Sequence, residues 1–172
     1  MSLRPPLVLT GPPAVGKSTA ARSLAWARTR CAVVEVDDLR QLVLTGAAAP
    51  WEGEEGARQR RLGARNACTL AANFLADDID VVITDVLTPD SAVVYRELLP
   101  GCLVLRLSAV LRETQRRFAS RRRLLTSAEF VALHEHDTAN PPTADLTIDV
   151  TDFDVTQQTA AIERAWANAG VG

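Results

Sequence analysis

Short apolar runs separated by mixed helical stretches set the rhythm of this chain. Residues 6–10 (Pro-Leu-Val-Leu-Thr) are apolar and bounded by prolines and a glycine, which reads as a strand buried on both faces. The same signature recurs at 31–36 (Cys-Ala-Val-Val-Glu-Val), 80–85 (Asp-Val-Val-Ile-Thr-Asp), 102–107 (Cys-Leu-Val-Leu-Arg-Leu) and 146–150 (Leu-Thr-Ile-Asp-Val). These five runs predict five strands rich in β-branched residues.

Helical segments lie between them. An Ala/Leu/Arg-rich stretch from Lys17 to about residue 28 predicts the first helix, and residues 39–44 a short one stopped by Thr45-Gly46. Residues 57–76 predict a long helix with Leu62, Cys68, Leu70, Ala71, Phe74 and Leu75 as its apolar stripe, weakened by Gly63. Thr88-Pro89-Asp90-Ser91 reads as a helix start, with Val93, Val94, Leu98 and Leu99 expected inward and Pro100-Gly101 as the stop. Ser108 is expected to cap the next helix, followed by helices over 127–134 and 156–169. Strand and helix alternating in this way predict an α/β fold with a parallel sheet. No repeat or second domain is evident, so 1–172 reads as a single domain.

Bulk numbers narrow the class. The hydrophobic fraction of 47% and charged fraction of 23% are ordinary for a globular domain, and a net charge of −2 argues against a dedicated nucleic-acid binder. No apolar stretch is long enough for a membrane span, and the chain enters its first strand at once, without the pattern of a signal peptide. Cys31, Cys68 and Cys102 are widely spaced beside apolar residues and read as buried reduced thiols of a cytoplasmic protein.

The chemistry starts at the first strand's end. Gly11-Pro12-Pro13-Ala14-Val15-Gly16-Lys17-Ser18 is the G-x-x-x-x-G-K-[ST] pattern, with Thr19 after it. Its glycines let successive backbone N–H groups turn toward phosphate oxygens, Lys17 supplies a point charge, and Ser18 a hydroxyl for Mg²⁺. Strand, loop and helix stand in the required order. Of 19 basic residues only Lys17 is lysine; arginine serves everywhere else, so this one position calls for a compact ammonium.

In an open parallel sheet, ligands bind beyond the carboxyl ends of the strands. That rule brings the loop, Asp37-Asp38 and Asp85 to one cleft. Phosphoryl transfer needs the γ-phosphate gripped, its charge neutralised and an acceptor hydroxyl aimed and deprotonated. Asp37 is the candidate base, with a helix-cap role as the alternative; Asp38 suits a cap equally. Asp85 serves either Mg²⁺ or the acceptor. Arg40 lies one helical turn past Asp37, and Trp51 either stacks on the acceptor or plugs the cleft. Arg117 and Arg121, four apart, share a helix face and suit triphosphate oxygens from a mobile lid over about 116–126; Arg116, Arg122 and Arg123 read as solvated. Arg65 and Asn66 are weaker candidates. His134 and His136 read as solvent-facing.

The loop, the Val36–Arg40 segment, residues 82–87 and the Arg117/Arg121 pair resemble the chloramphenicol phosphotransferase-like P-loop kinases, part of a wider set with gluconate, shikimate and adenylate-kinase-like enzymes. The likeness spans nearly the whole chain. It implies a five-stranded sheet in the order 2-3-1-4-5, ATP and Mg²⁺ as cofactors, a base after strand two, and a small hydroxylated acceptor. Within a substrate segment of about 40–66, the acceptor-facing stretch from Gly46 to Gly63 matches nothing in that group. Two other readings stay open. A nucleoside or nucleotide kinase would use Arg40, Arg58, Arg60, Arg61 and Arg65 around its acceptor. A non-catalytic ATP sensor would need neither base nor lid, and a guanine-specific switch is excluded because its N-K-x-D motif needs a second lysine.

Overall fold

The computed structural model describes residues 3–119 and 125–169. Five parallel strands form one sheet: β1 (Leu7–Thr10), β2 (Cys31–Glu35), β3 (Asp80–Thr84), β4 (Leu103–Ser108) and β5 (Leu146–Asp149), in the order β2-β3-β1-β4-β5. This is the α/β parallel sheet that the strand pattern predicts, in the P-loop NTPase order that the family resemblance implies. Among the described residues the helices are α1 (Lys17–Trp26), α2 (Val36–Arg40), α3 (Gly53–Ala76), α4 (Pro89–Leu98), α5 (Leu111–Ala119), α6 (Ser127–Ala139) and α7 (Val155–Ala169). No helix among the described residues is long and apolar enough to cross a membrane.

Two cores sandwich the sheet, and the pleat sorts side chains between them. Leu7 and Leu9 face α1 and α7, where Ala20, Leu24, Ile162 and Trp166 complete one layer. Val8, between them, faces the other side and packs with Ala64, Ala67, Cys68, Ala71, Tyr95 and Leu99 of α3 and α4. All four β1 residues are buried, as a central strand requires.

Several local expectations are corrected. The buried stripe of α3 is Gly56, Gly63, Ala64, Ala67, Cys68 and Ala71; Leu62, Leu70, Phe74 and Leu75 are only half-buried. Small residues win because α3 lies close on the sheet and on α2. A Cβ placed on Gly63 would stand 3.0 Å from Val36 Cγ1 and 3.2 Å from Arg40 Cγ, so this glycine permits the α2–α3 approach. In α4, Ala92 and Tyr95 turn inward, as does Leu99 just after it, whereas Val93 and Leu98 are exposed. The helix is apolar on several sides, and its phase is set by Tyr95, whose hydroxyl finds a buried acceptor. Thr88 does cap α4, in a reciprocal box with Ser91. Ser108, in contrast, ends β4, and α5 begins at Leu111. The short helix after β2 is Val36–Arg40 rather than 39–44, drawn back because Val36 is buried in the core.

His134 is also buried, with Nε2 3.0 Å from the Ala109 carbonyl oxygen, so it is a structural link between α6 and the end of β4; His136 is exposed as expected. Cys68 and Cys102 are buried and Cys31 half-buried, all as free thiols. Burial pushes the Cys31 thiol up to about 11 and that of Cys68 to about 12, which keeps both protonated and unreactive.

Candidate phosphate-binding and acceptor site

The loop between β1 and α1 is shaped by backbone that few residues other than glycine adopt. Gly11 has φ 136° and Gly16 φ 105°. Gly11 is doubly constrained, since a Cβ there would lie 2.2 Å from the Leu107 carbonyl oxygen. Gly16 caps α1, so the positive end of that helix opens at the loop.

The loop's polar side chains are held by partners within the chain. Lys17 Nζ donates to the carbonyl oxygens of Gly11 at 2.7 Å and Pro12 at 3.0 Å. Ser18 Oγ donates to Glu35 Oε2 at 2.8 Å, and Glu35 also pairs with Arg22. The Val15 carbonyl oxygen accepts from Arg117 Nη1 at 3.2 Å and from Gln158 Nε2 at 3.3 Å. Arg117 thus reaches the loop from α5. It also donates through Nη2 to Val150 and Phe153 and through Nε to Glu113, so it ties α5, the loop and the segment before α7 together. It borders a cavity of about 350 Å³ that opens beside Gly16 and Thr19 and continues to Phe153 and Gln158. Arg121, its expected partner, lies outside the described residues, as does the 120–124 stretch of the 116–126 lid segment.

The acidic groups occupy different settings. Asp37 stands in the first turn of α2, not at the strand end itself; its side chain is 75% exposed and its Oδ1 lies 3.8 Å from Arg40 Nη1. Asp85 directly follows β3 and is buried. Its Oδ2 accepts from the Tyr95 hydroxyl at 2.9 Å and its Oδ1 from the Val86 N–H at 2.8 Å. Burial raises its pKa from 3.8 to about 6; the Tyr95 bond opposes this, and the negative charge of Asp37 adds to it. Arg40 also acts on Asp85, so Asp37, Arg40 and Asp85 do share one electrostatic neighbourhood, as the sequence rule requires.

Trp51 is half-exposed at the start of α3 and lines a second cavity of about 610 Å³, together with Arg60, Asp90, Leu133 and His136. Arg65 and Asn66 are exposed on α3, and Asn66 borders only a minor crevice beside Arg40.

Three contributors escaped the sequence reading. Glu35 is the last residue of β2, one polar position before the Asp37-Asp38 pair that drew attention. Its signal was available: a carboxylate ending an otherwise apolar buried run. Tyr95 was hidden within an ambiguous helix. The wall formed by α6 was invisible, because nothing local says that helix borders a cavity.

Comparison with protein-family models gives no match, and comparison with curated proteins gives none either. Solved structures do match along nearly the whole chain. A sugar kinase from Janibacter sp. HTCC2649 superposes with a TM-score of 0.69 at 17% identity, over 98% of this chain and 96% of that one. Shikimate kinase from Acinetobacter baumannii, solved with shikimate, gives 0.66 at 21% identity, over 98% and 96%. The APS kinase of Mycobacterium tuberculosis, solved with AMPPNP and APS, gives 0.61 at 18% identity, over 95% and 98%. At these identities the likeness establishes the fold.

Proposed function

We propose that the protein is an ATP-dependent O-phosphotransferase acting on a hydroxyl of a small molecule. What supports this reading is a lysine-bearing phosphate loop after β1, a buried carboxylate, Asp85, at the end of the neighbouring β3 with Asp37 in its electrostatic reach, and a cavity of about 610 Å³ bordered by Thr88 and Arg60. The structural neighbours that use this fold as kinases of sugars, shikimate and APS support it.

The roles follow from the geometry. Lys17 exchanges its two carbonyl partners for β- and γ-phosphate oxygens, and the amides of residues 11–19 line the same anion. The hydroxyl of Ser18 and the carboxylate of Glu35, 2.8 Å apart, form a hard oxygen set that fits Mg²⁺. The ion, when bound, offsets charge on the transferring phosphoryl group. Asp37 accepts the proton of the acceptor hydroxyl, its exposed side chain free to meet an incoming ligand beside Arg40. Asp85 holds the acceptor in place: both of its oxygens already take a hydrogen bond from this chain, and Tyr95 orients it. Arg40 steadies Asp37, and Trp51 offers a ring to the acceptor. Arg117, which reaches the Val15 carbonyl of the loop, clamps the nucleotide side.

The resemblance to chloramphenicol phosphotransferase-like kinases makes an antibiotic alcohol the first acceptor to try. A nucleotide kinase is the second reading, favoured by the two arginines, Arg40 and Arg60, near the acceptor. ADP release measured over a panel of antibiotic alcohols and nucleosides, with wild type and Asp37→Ala, tests both. Turnover with one class identifies the acceptor; undiminished turnover in the variant removes Asp37 as base.

A further inference from the structure

Gln158 joins the last helix to the phosphate loop. On α7, Gln158, Ile162 and Trp166 stand four residues apart and form the buried stripe of the helix. Ile162 and Trp166 pack into the apolar layer that also holds Leu7, Leu9 and Val15. Gln158 is 4% exposed and puts a carboxamide at the loop end of that stripe. Its Nε2 donates to the Val15 carbonyl oxygen at 3.3 Å, and Arg117 Nη1 donates to the same oxygen at 3.2 Å from α5. The carboxamide also lies hard against Gly16: a Cβ there would stand 2.7 Å from Nε2 and 3.0 Å from Oε1. The glycine at 16 therefore admits Gln158 as well as the left-handed turn.

This contact decides which way one peptide unit faces. The Val15–Gly16 peptide lies between the end of β1 and the start of α1, flanked by left-handed backbone at Ala14 (φ 59°) and Gly16 (φ 105°). The Val15 side chain is anchored in the core, which leaves the direction of its carbonyl to be set. A trans peptide is planar, with its C=O and N–H opposed. Two donors on the Val15 carbonyl therefore turn the Gly16 N–H away from α5 and α7. Gly16 caps α1, and N–H groups at this end of a helix lack partners within it and attract anions. Arg117 divides its guanidinium among Glu113, Val150 and Phe153 as well, whereas Gln158 Nε2 gives its hydrogen bond to this carbonyl.

We propose that Gln158 is a positioning residue for nucleotide binding: by holding the Val15 carbonyl, it keeps the Gly16 N–H aimed at a phosphate oxygen of the bound triphosphate. The inference rests on the triphosphate-binding role given to the loop above. It makes the last helix, distant in sequence from the loop, part of the phosphate grip.

Amide NMR of protein labelled with ¹⁵N-glycine, titrated with Mg²⁺ and a non-hydrolysable ATP analogue, reads that N–H directly. In the wild type the Gly16 amide proton moves downfield on binding, and farther than that of Gly101 in the turn before β4. Gln158→Met keeps the length of the side chain and its packing against Gly16 but donates nothing; Gln158→Glu puts an acceptor where the donor stood. Both variants bind the analogue about tenfold more weakly in calorimetry, and the Gly16 shift at saturation falls to less than about half. A role confined to packing would lower stability in urea and leave both readouts at wild-type values. Affinity within about twofold of wild type, or an unchanged Gly16 shift, in either variant that circular dichroism shows folded would overturn the proposal. So would a wild-type Gly16 amide that moves no farther than Gly101, whichever variants fold. Failure of the analogue to bind the wild type overturns the phosphotransferase reading instead.

Discussion

The phosphate loop and the acceptor cavity solve opposite problems with the same side-chain chemistry. In the loop, the ammonium of Lys17, the hydroxyl of Ser18 and the carbonyl of Val15 are each met by a named partner within the chain. In the acceptor cleft, Arg40 and Arg60 each leave a buried Nε unmet, and Asp85 is held where its ionised form is disfavoured. The loop's partners hold its shape and leave only an exchange of hydrogen bonds when phosphate arrives. Arg106 Nε and Asp137 Oδ1, outside the cleft, share that condition among the described residues, so it is the buried Asp85 carboxyl rather than the unmet donors that sets this region apart from the loop.

Substitutions can break this comparison, and the largest effect belongs to Lys17. Lys17→Ala removes the charge that both closes the loop and receives the phosphate; kcat/KM falls on the order of a thousandfold or more, read as ADP release. Lys17→Arg restores little, since the broader guanidinium does not occupy the point of a compact ammonium.

Asp85 comes next and separates stability from activity. Its carboxyl has a folded pKa raised from 3.8 to about 6, so the native state binds the proton more tightly than the unfolded chain does. Stability therefore falls as pH rises through the window from 3.8 to about 6, and the full penalty is present above it. Asp85→Asn relieves that penalty. At pH 7 the variant gains up to about 3 kcal/mol in urea unfolding, and the gain shrinks as pH falls through that window and is gone below about pH 4, where the wild-type carboxyl is protonated in both states. Acceptor turnover drops in the same variant while affinity for the ATP analogue holds. Asp37→Asn does the reverse: turnover falls about a hundredfold with stability nearly unchanged, because this side chain is exposed. Gly63→Ala has the smallest effect, a loss of about 1 kcal/mol in the same unfolding assay, as the new methyl presses on Val36 and Arg40 where α3 meets α2.

The two regions also differ in how much the sequence reveals of them. The loop is legible because every residue of it is local: glycines at the tight positions, one lysine, one hydroxyl, then a helix. The parallel sheet follows from five apolar runs with helical connections, its strand order from the family resemblance, and all five strands stand where the pattern puts them within a residue or two. The acceptor side is written in contacts between distant segments. Tyr95 reaches Asp85 only because α4 presents that face, and a helix with valines and leucines on several sides does not announce its phase. Arg60 looks like one of several arginines on α3 until Pro50 and the α6 wall enclose it. His134 looks like a surface histidine until the end of β4 accepts it. Glu35 was legible and overshadowed by the aspartates that follow it.

The most direct measurement of the central claim is calorimetric titration of the wild-type protein with Mg²⁺ and a non-hydrolysable ATP analogue, repeated with Lys17→Ala. Saturable one-to-one uptake by the wild type, lost in the variant while circular dichroism shows it still folded, is the predicted result. No uptake by the wild type, or equal uptake by both proteins, would contradict it.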